Sequence, residues 1–118
     1  MNEDFVSFEL AVKLKDKGYP QDELCRYNED GNMYLDDIPN AGYCAPTISQ
    51  ALKWLRDERK VFIEISITTS GYYPTVYSNI DLTLANKTTY YQEYIGATHE
   101  DYNKCVLEAI EYTLDNLI

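Results

Sequence analysis

The chain of 118 residues lacks most of the patterns on which catalytic or membrane-bound proteins are built. No apolar run approaches the ~20 residues that cross a bilayer. The opening MNEDFVSFEL has no charged-then-apolar export pattern, so a soluble cytoplasmic protein is expected. There is one histidine, His99, and no glycine loop of the kind that cradles phosphate. The three cysteines, Cys25, Cys44 and Cys105, are odd in number and have no C-x-x-C spacing. They therefore imply no disulfide framework, and the expectation is buried thiols in a reducing cytosol. Positive charge is scarce as well: 10 Lys and Arg stand against 20 Asp and Glu, a formal net charge of -10. A surface of that sign disfavours polyanionic partners.

What the chain does have is tyrosine, 12 of them against 3 phenylalanines and 1 tryptophan. Tyrosine joins a large apolar face to a hydroxyl that needs a partner, which suits half-buried sheet faces and protein interfaces alike. The apolar fraction of 45% is ordinary, and a chain of this length supplies one core without staples. No repeat, linker or low-complexity tract divides it, so residues 1–118 are expected to form a single α+β domain.

Ser7 before FELAVKLKDK and Gly18 after it punctuate a short helix, with Phe8, Ala11, Val12 and Leu14 on its apolar side. LCRYNEDGNMYL reads as a hairpin turned by Asp30-Gly31 in a two-residue type I′ turn, with Tyr27 and Tyr34 in its strands. DDIPNAGYCAP then reads as loop. Thr47 and Gln50 form a T-x-x-Q capping box, so a second helix is expected to begin at Ile48 and bury Ile48, Ala51, Leu52 and Leu55.

VFIEISITT alternates with a period of two, setting Val61, Ile63, Ile65 and Ile67 against Phe62, Glu64, Ser66 and Thr68, and Ser70-Gly71 is expected to turn it into YYPTVYS. Pro74 there predicts an edge strand or a bulge. NIDLTLANK continues that strand or forms another, and TTYYQEYIG holds a short strand or an irregular segment. Thr98, Glu100 and Asp101 open a last helix whose apolar face runs through Tyr102, Cys105, Val106, Ala109, Ile110, Thr113, Leu114 and Leu117, with Glu108, Glu111 and Asp115 outside. The expected order is α-β-β-α-β-β-(β)-α, a largely antiparallel sheet of four to five strands covered by three helices.

Three stretches, SFELAVKLKDKGY, APTISQALKWLRDERKVFIEI and AIEYTLDNLI, resemble a family of small uncharacterised proteins encoded in bacteriophages and mobile elements of gut anaerobes such as Bacteroides. The resemblance implies a cytoplasmic bacterial or phage setting and carries no catalytic residue with it.

Chemistry-bearing residues are few. A nucleophilic Cys44 would need His99 as its base, and nothing in their spacing supports the pairing. Zinc would have to draw on Cys25, Cys44, His99 and Cys105, which contain no short ligand pair. RYNEDGNMYLDD imitates a calcium loop but puts Arg26 at the first ligand position, where a cation repels the metal. Asp36-Asp37 and Glu100-Asp101 are paired carboxylates where loops and caps ordinarily put them. No catalytic, cofactor or metal residue is expected.

The charge is unevenly placed. Residues 47–64 hold Lys53, Arg56, Arg59 and Lys60 against three acids and have a net positive charge, whereas residues 1–46 and 65–118 are each net negative. Lys53, Arg56 and Lys60 align on one helical face, and Lys53 stands one turn before Asp57 as an i, i+4 pair. With the hairpin that follows as a wing, helix 47–60 could read a nucleic acid. The alternative is an interface with an unidentified protein, or a second copy in a homodimer. Its aromatic anchors would be Trp54, Tyr72, Tyr73, Tyr77, Tyr90, Tyr91 and Tyr94. The acidity favours the protein partner, so the expected function is a small non-catalytic accessory or inhibitor protein.

Overall fold

In the computed structural model, which describes residues 4–36, 38, 41–78 and 91–118, Ser7 caps the first helix, α1 (Phe8–Asp16), by accepting the Leu10 N–H at 3.3 Å. The helix ends in a left-handed turn at Gly18 (φ 95), where the Tyr19 N–H returns to the Leu14 carbonyl and the Gly18 N–H to that of Lys15. These are the paired bonds of a Schellman stop. Leu10, Ala11 and Leu14 are buried, whereas Phe8 and Val12, expected inside, are half-buried.

Contacts along the backbone gather the chain into two units, Met1–Ala51 and Leu52–Ile118. The first holds α1 and the sheet β2–β1–β3, made of β1 (Cys25–Tyr27), β2 (Met33–Leu35) and β3 (Tyr43–Cys44). Both neighbours run antiparallel to β1. β3 lies in the stretch expected to be loop; a two-residue strand has no period of its own and exists through its pairing with Arg26 and Tyr27. The β1–β2 hairpin is present, but its loop is the three residues 29–31. Gly31 N–H bonds to the Asn28 carbonyl, Asn28 N–H bonds to the Asn32 carbonyl, and only Gly31 takes a positive φ of 83. That is a type I turn with a glycine bulge rather than the expected type I′ turn. Asn28 stabilises it by accepting the Asp30 and Asn32 N–H groups on Oδ1.

Helix α2 (Ile48–Arg59) begins where the capping box places it. Gln50 Oε1 accepts the Thr47 N–H at 2.8 Å, and Thr47 Oγ1 accepts the Gln50 N–H at 3.2 Å. The helix ends on Lys60 in the left-handed region (φ 59), with the Val61 N–H bonded to the Leu55 carbonyl.

The second unit contains the meander β4 (Phe62–Thr68), β5 (Gly71–Ser78) and β6 (Tyr91–Ile95), all antiparallel, and α3 (Tyr102–Asn116), which packs on β5 and β4. Leu55, Val61, Val76, Val106, Ile110 and Leu114 are its buried aliphatics, each contributing about 1.5–3 kcal/mol of transfer free energy. The alternation expected along β4 fades: Ile63 and Ile65 are half-buried and Ile67 is 80% exposed. Thr69 and Ser70 make the turn, and Gly71 is already the first residue of β5.

Pro74 sits in the central strand, not at an edge. Its carbonyl accepts the Gly96 N–H at 2.9 Å, so its missing N–H faces the same side, one residue beyond the end of β6. The ladder thus loses nothing that β6 could have supplied. A register shift between Val76 and Tyr77 marks the bulge. The segment 79–90, with all of NIDLTLANK and the start of TTYYQEYIG, lies outside the described residues.

The last helix starts later than expected. Tyr72 and His99 exchange both backbone bonds at 2.7 Å, which holds residue 99 extended. Asp101, rather than Thr98, then becomes the N-cap, accepting the Asn103 and Lys104 N–H groups. The observed order α1-β1-β2-β3-α2-β4-β5-β6-α3 is α+β with three helices and antiparallel strands. The described strands form two three-stranded sheets where one of four to five strands was expected.

Candidate interaction surface

Of the basic face expected on α2, Lys53 is exposed, while Arg56 is half-buried and bonded through Nε to Asp57 at 3.1 Å. Asp57 thus takes Arg56 in place of the expected Lys53 partner. Lys60 Nζ donates to the Asp57 carbonyl at 3.2 Å, and the Arg59 guanidinium lies 5.1 Å from the centre of the Trp54 ring. Three of the four cations are engaged by groups of their own helix end. Trp54 is half-buried beneath one of them.

The tyrosines divide between the faces of the second sheet. Tyr72 meets Tyr102 edge-on at 5.5 Å, and Tyr94 stacks on Tyr112 at 3.9 Å, so both look toward α3. Tyr73 follows Tyr72 in the strand and points to the other face by the pleat. Tyr77, opposite Phe62, is half-buried. Tyr91 pairs with Ser78 through its backbone, and Tyr90 lies outside the described residues.

One cluster escaped the sequence reading. Glu108, expected to stand outside α3, is half-buried and accepts the Tyr94 hydroxyl at 2.6 Å and the Ala97 N–H at 3.4 Å on Oε1. Its Oε2 meets His99 Nε2. Burial pushes the Glu108 carboxyl up. The hydrogen bonds from Tyr94, His99 and the Ala97 N–H, with the charge of His99, outweigh it, so the net shift is downward. The Tyr94 phenol is pushed up to about 12, first by that hydrogen bond and then by burial. Gly96 makes room: a Cβ there would stand 2.7 Å from Glu108 Oε1 and from Pro74. Donors on both oxygens leave this carboxylate little basicity to offer a substrate. The only signal in the sequence was the place of Glu108 on the flank of the apolar arc, beside Cys105 and Tyr112.

A second buried polar group is Arg26, which is 1% exposed. Nε donates to the Asp36 carbonyl at 3.1 Å, Nη1 to that of Ala41 at 2.9 Å and Nη2 to that of Gln21 at 3.0 Å. The guanidinium that was expected to repel a calcium ion from a loop instead ties three loop carbonyls to the middle strand.

Cys44 is fully buried, with its Sγ donating to the Glu23 carbonyl at 3.8 Å. Desolvation leads the causes that push its thiol up. Cys105 is pushed up to about 11 by burial and by Glu108. Thiols so placed are poor nucleophiles. Among the described residues no group of three or more His, Cys, Asp or Glu could hold a metal ion, and no helix is long and apolar enough to cross a membrane. What the described surface does show is exposed aliphatics: Leu24, Leu35 and Ile38 in the first unit, Ile67 and Ile95 in the second.

No family model, curated protein or solved structure matches this chain.

Proposed function

We propose that this chain is a small non-catalytic protein-binding protein, an accessory or inhibitor in a phage or mobile-element setting, working in the cytoplasm. The observation that carries the reading is the contrast between its two kinds of side chain. The groups that could do chemistry, Cys44, Cys105, His99 and Glu108, are buried or bonded to one another. Five aliphatic side chains meanwhile stand more than half exposed on a chain of net charge -10. A contiguous exposed apolar patch among charged groups marks a protein contact, and Leu24, Leu35 and Ile38 gather at one strand end of the first unit.

A second reading has one feature in its favour: α2 runs directly into the β4–β5 hairpin, as a reading helix runs into its wing. The engagement of Arg56, Arg59 and Lys60 by their own helix end works against it, as does the acidity of the rest.

Affinity capture from bacterial lysates, with and without nuclease, tests the proposal. A protein recovered in near-equal amount and retained after nuclease supports it. Recovery of nothing above background from several hosts overturns it, and loss of the capture on nuclease treatment transfers the case to the second reading.

A further inference from the structure

The first unit separates its charges in an unusual way. Between Lys17 and Lys53 the sequence has one cation, Arg26, against six acids: Asp22, Glu23, Glu29, Asp30, Asp36 and Asp37. That cation is buried, with all three of its donor groups turned onto loop carbonyls. Nothing of positive sign from this stretch therefore reaches the surface. Lys15 from α1 donates to the Gly42 carbonyl at 2.7 Å and lies 5.1 Å from the centre of the Tyr43 ring. Tyr43 belongs to β3, and in the order β2–β1–β3 that is the opposite edge of the sheet from β2.

The β2 edge carries the apolar side chains. Met33 and Leu35 share one face of β2, across from Tyr27 and Cys25, and are 45% and 79% exposed. On that face the ring of Phe8 covers Tyr27 and Tyr43. At the Leu35 end of the hairpin, the Leu24 carbonyl accepts the Asp36 N–H, and Asp36 Oδ1 accepts the Ile38 N–H. These bonds hold Leu24 and Ile38, 59% and 60% exposed, at the same strand end as Leu35. Four large apolar side chains are thus exposed on the hairpin and beside its Leu35 end, and among the described residues 18–38 every charge that reaches the surface is a carboxylate.

We infer that the β1–β2 hairpin is a docking surface for a lysine- or arginine-rich amphipathic segment of another protein. The aliphatic side chains of that segment would cover Met33 and Leu35 on that face and reach Leu24 and Ile38 at its strand end, and its cations would meet the surrounding carboxylates. The inference rests on the protein-binding reading above and gives it a surface and a partner class. Charge complementarity selects the occupant: a nucleic acid or an anionic membrane is repelled, and a second copy would set one all-acidic hairpin against another. The aromatic residues of β5, β6 and α2 are not needed for it.

The probe is a labelled Leu/Lys amphipathic helix of about 18 residues, with a Gly/Lys peptide of equal charge as control. Its binding to the full chain is followed by fluorescence anisotropy and by backbone amide chemical shifts. The expected result is binding of the Leu/Lys peptide with shifts concentrated in residues 24–38. Affinity should fall at least about tenfold in Leu24→Ser/Leu35→Ser and stay unchanged in Lys53→Ala/Arg56→Ala. Leu24 and Leu35 are exposed, so the double variant folds, which its circular dichroism checks. The inference is overturned if the peptide does not bind, if the serine variant binds equally well, or if Gly/Lys binds as tightly as Leu/Lys. A partner captured from lysate that holds the serine variant undiminished also overturns it, while leaving the protein-binding reading in place.

Discussion

The two units hold opposite charges, one buried and one half-buried, and tie them down by opposite means. In Met1–Ala51 a guanidinium, Arg26, is held by three main-chain carbonyls from Gln21, Asp36 and Ala41. In Leu52–Ile118 a carboxylate, Glu108, is held chiefly by two side chains, Tyr94 and His99, with one main-chain N–H. The cation organises loops, because each of its donor groups fixes a different stretch of backbone. The anion fastens α3 to β6 and the chain leaving it, because Tyr94 lies in that strand and Ala97 and His99 follow it. A guanidinium stays charged at any pH a protein survives, whereas a carboxylate does not, so acid should reach only the second device.

The largest effect is expected from removing the first. Arg26→Met keeps much of the volume but leaves three carbonyls without their donors, and should cost about 3 kcal/mol or more in urea unfolding. Next comes the backbone beside the second device. Gly71 has φ 137, and a Cβ there would run into the His99 carbonyl, so Gly71→Ala should cost about 2 kcal/mol by the same measurement. A cost below the error of the experiment would show that the Tyr72–His99 bridge yields without loss.

Glu108→Gln should cost about 1–2 kcal/mol at neutral pH. The folded Glu108 carboxyl titrates below its unfolded value. Its contribution is therefore fully present above the unfolded value of about 4.3 and is lost as pH falls through the folded one. The gap between wild type and Glu108→Gln should close over that window, while the gap to Arg26→Met stays constant. Parallel pH curves for the two variants would refute the contrast drawn between the units.

The smallest effect compares two helix ends. α1 stops on Gly18 in the left-handed region, and α2 stops there on Lys60. Lys60→Gly should stabilise the protein by about 1 kcal/mol, and an unchanged midpoint would mean that the Lys60 Nζ bond to Asp57 offsets the backbone strain.

Local signals were legible and distant ones were not. Ser7, Gly18 and the Thr47–Gln50 box announce themselves because every partner lies within a few residues, and all appear where expected. The hairpin at Asp30-Gly31 was visible, but its turn type depended on which residue took the positive φ. β3, the central position of Pro74 and the late start of α3 follow from pairings with β1, β6 and Tyr72, far away in sequence. The charged side chains were hidden likewise: Glu108 reads as a residue of the outer face and Arg26 only as a cation in a calcium-like loop, whereas both are held by partners at least five residues away, Arg26 buried and Glu108 half-buried. Ring partners were hidden for the same reason. Trp54, Tyr72 and Tyr94 look like anchors in a list of aromatics, but their rings meet Arg59, Tyr102 and Tyr112, whereas Leu35, an unremarkable strand leucine, stands bare.

The most direct test of the functional account is a competition in one cuvette: labelled duplex DNA and labelled Leu/Lys peptide, titrated with the protein at about 150 mM salt, where the Debye length is about 8 Å. The account predicts that the peptide is bound and the duplex is not. Tight attachment of the duplex, abolished in Lys53→Ala/Arg56→Ala and with the peptide left in solution, would contradict it.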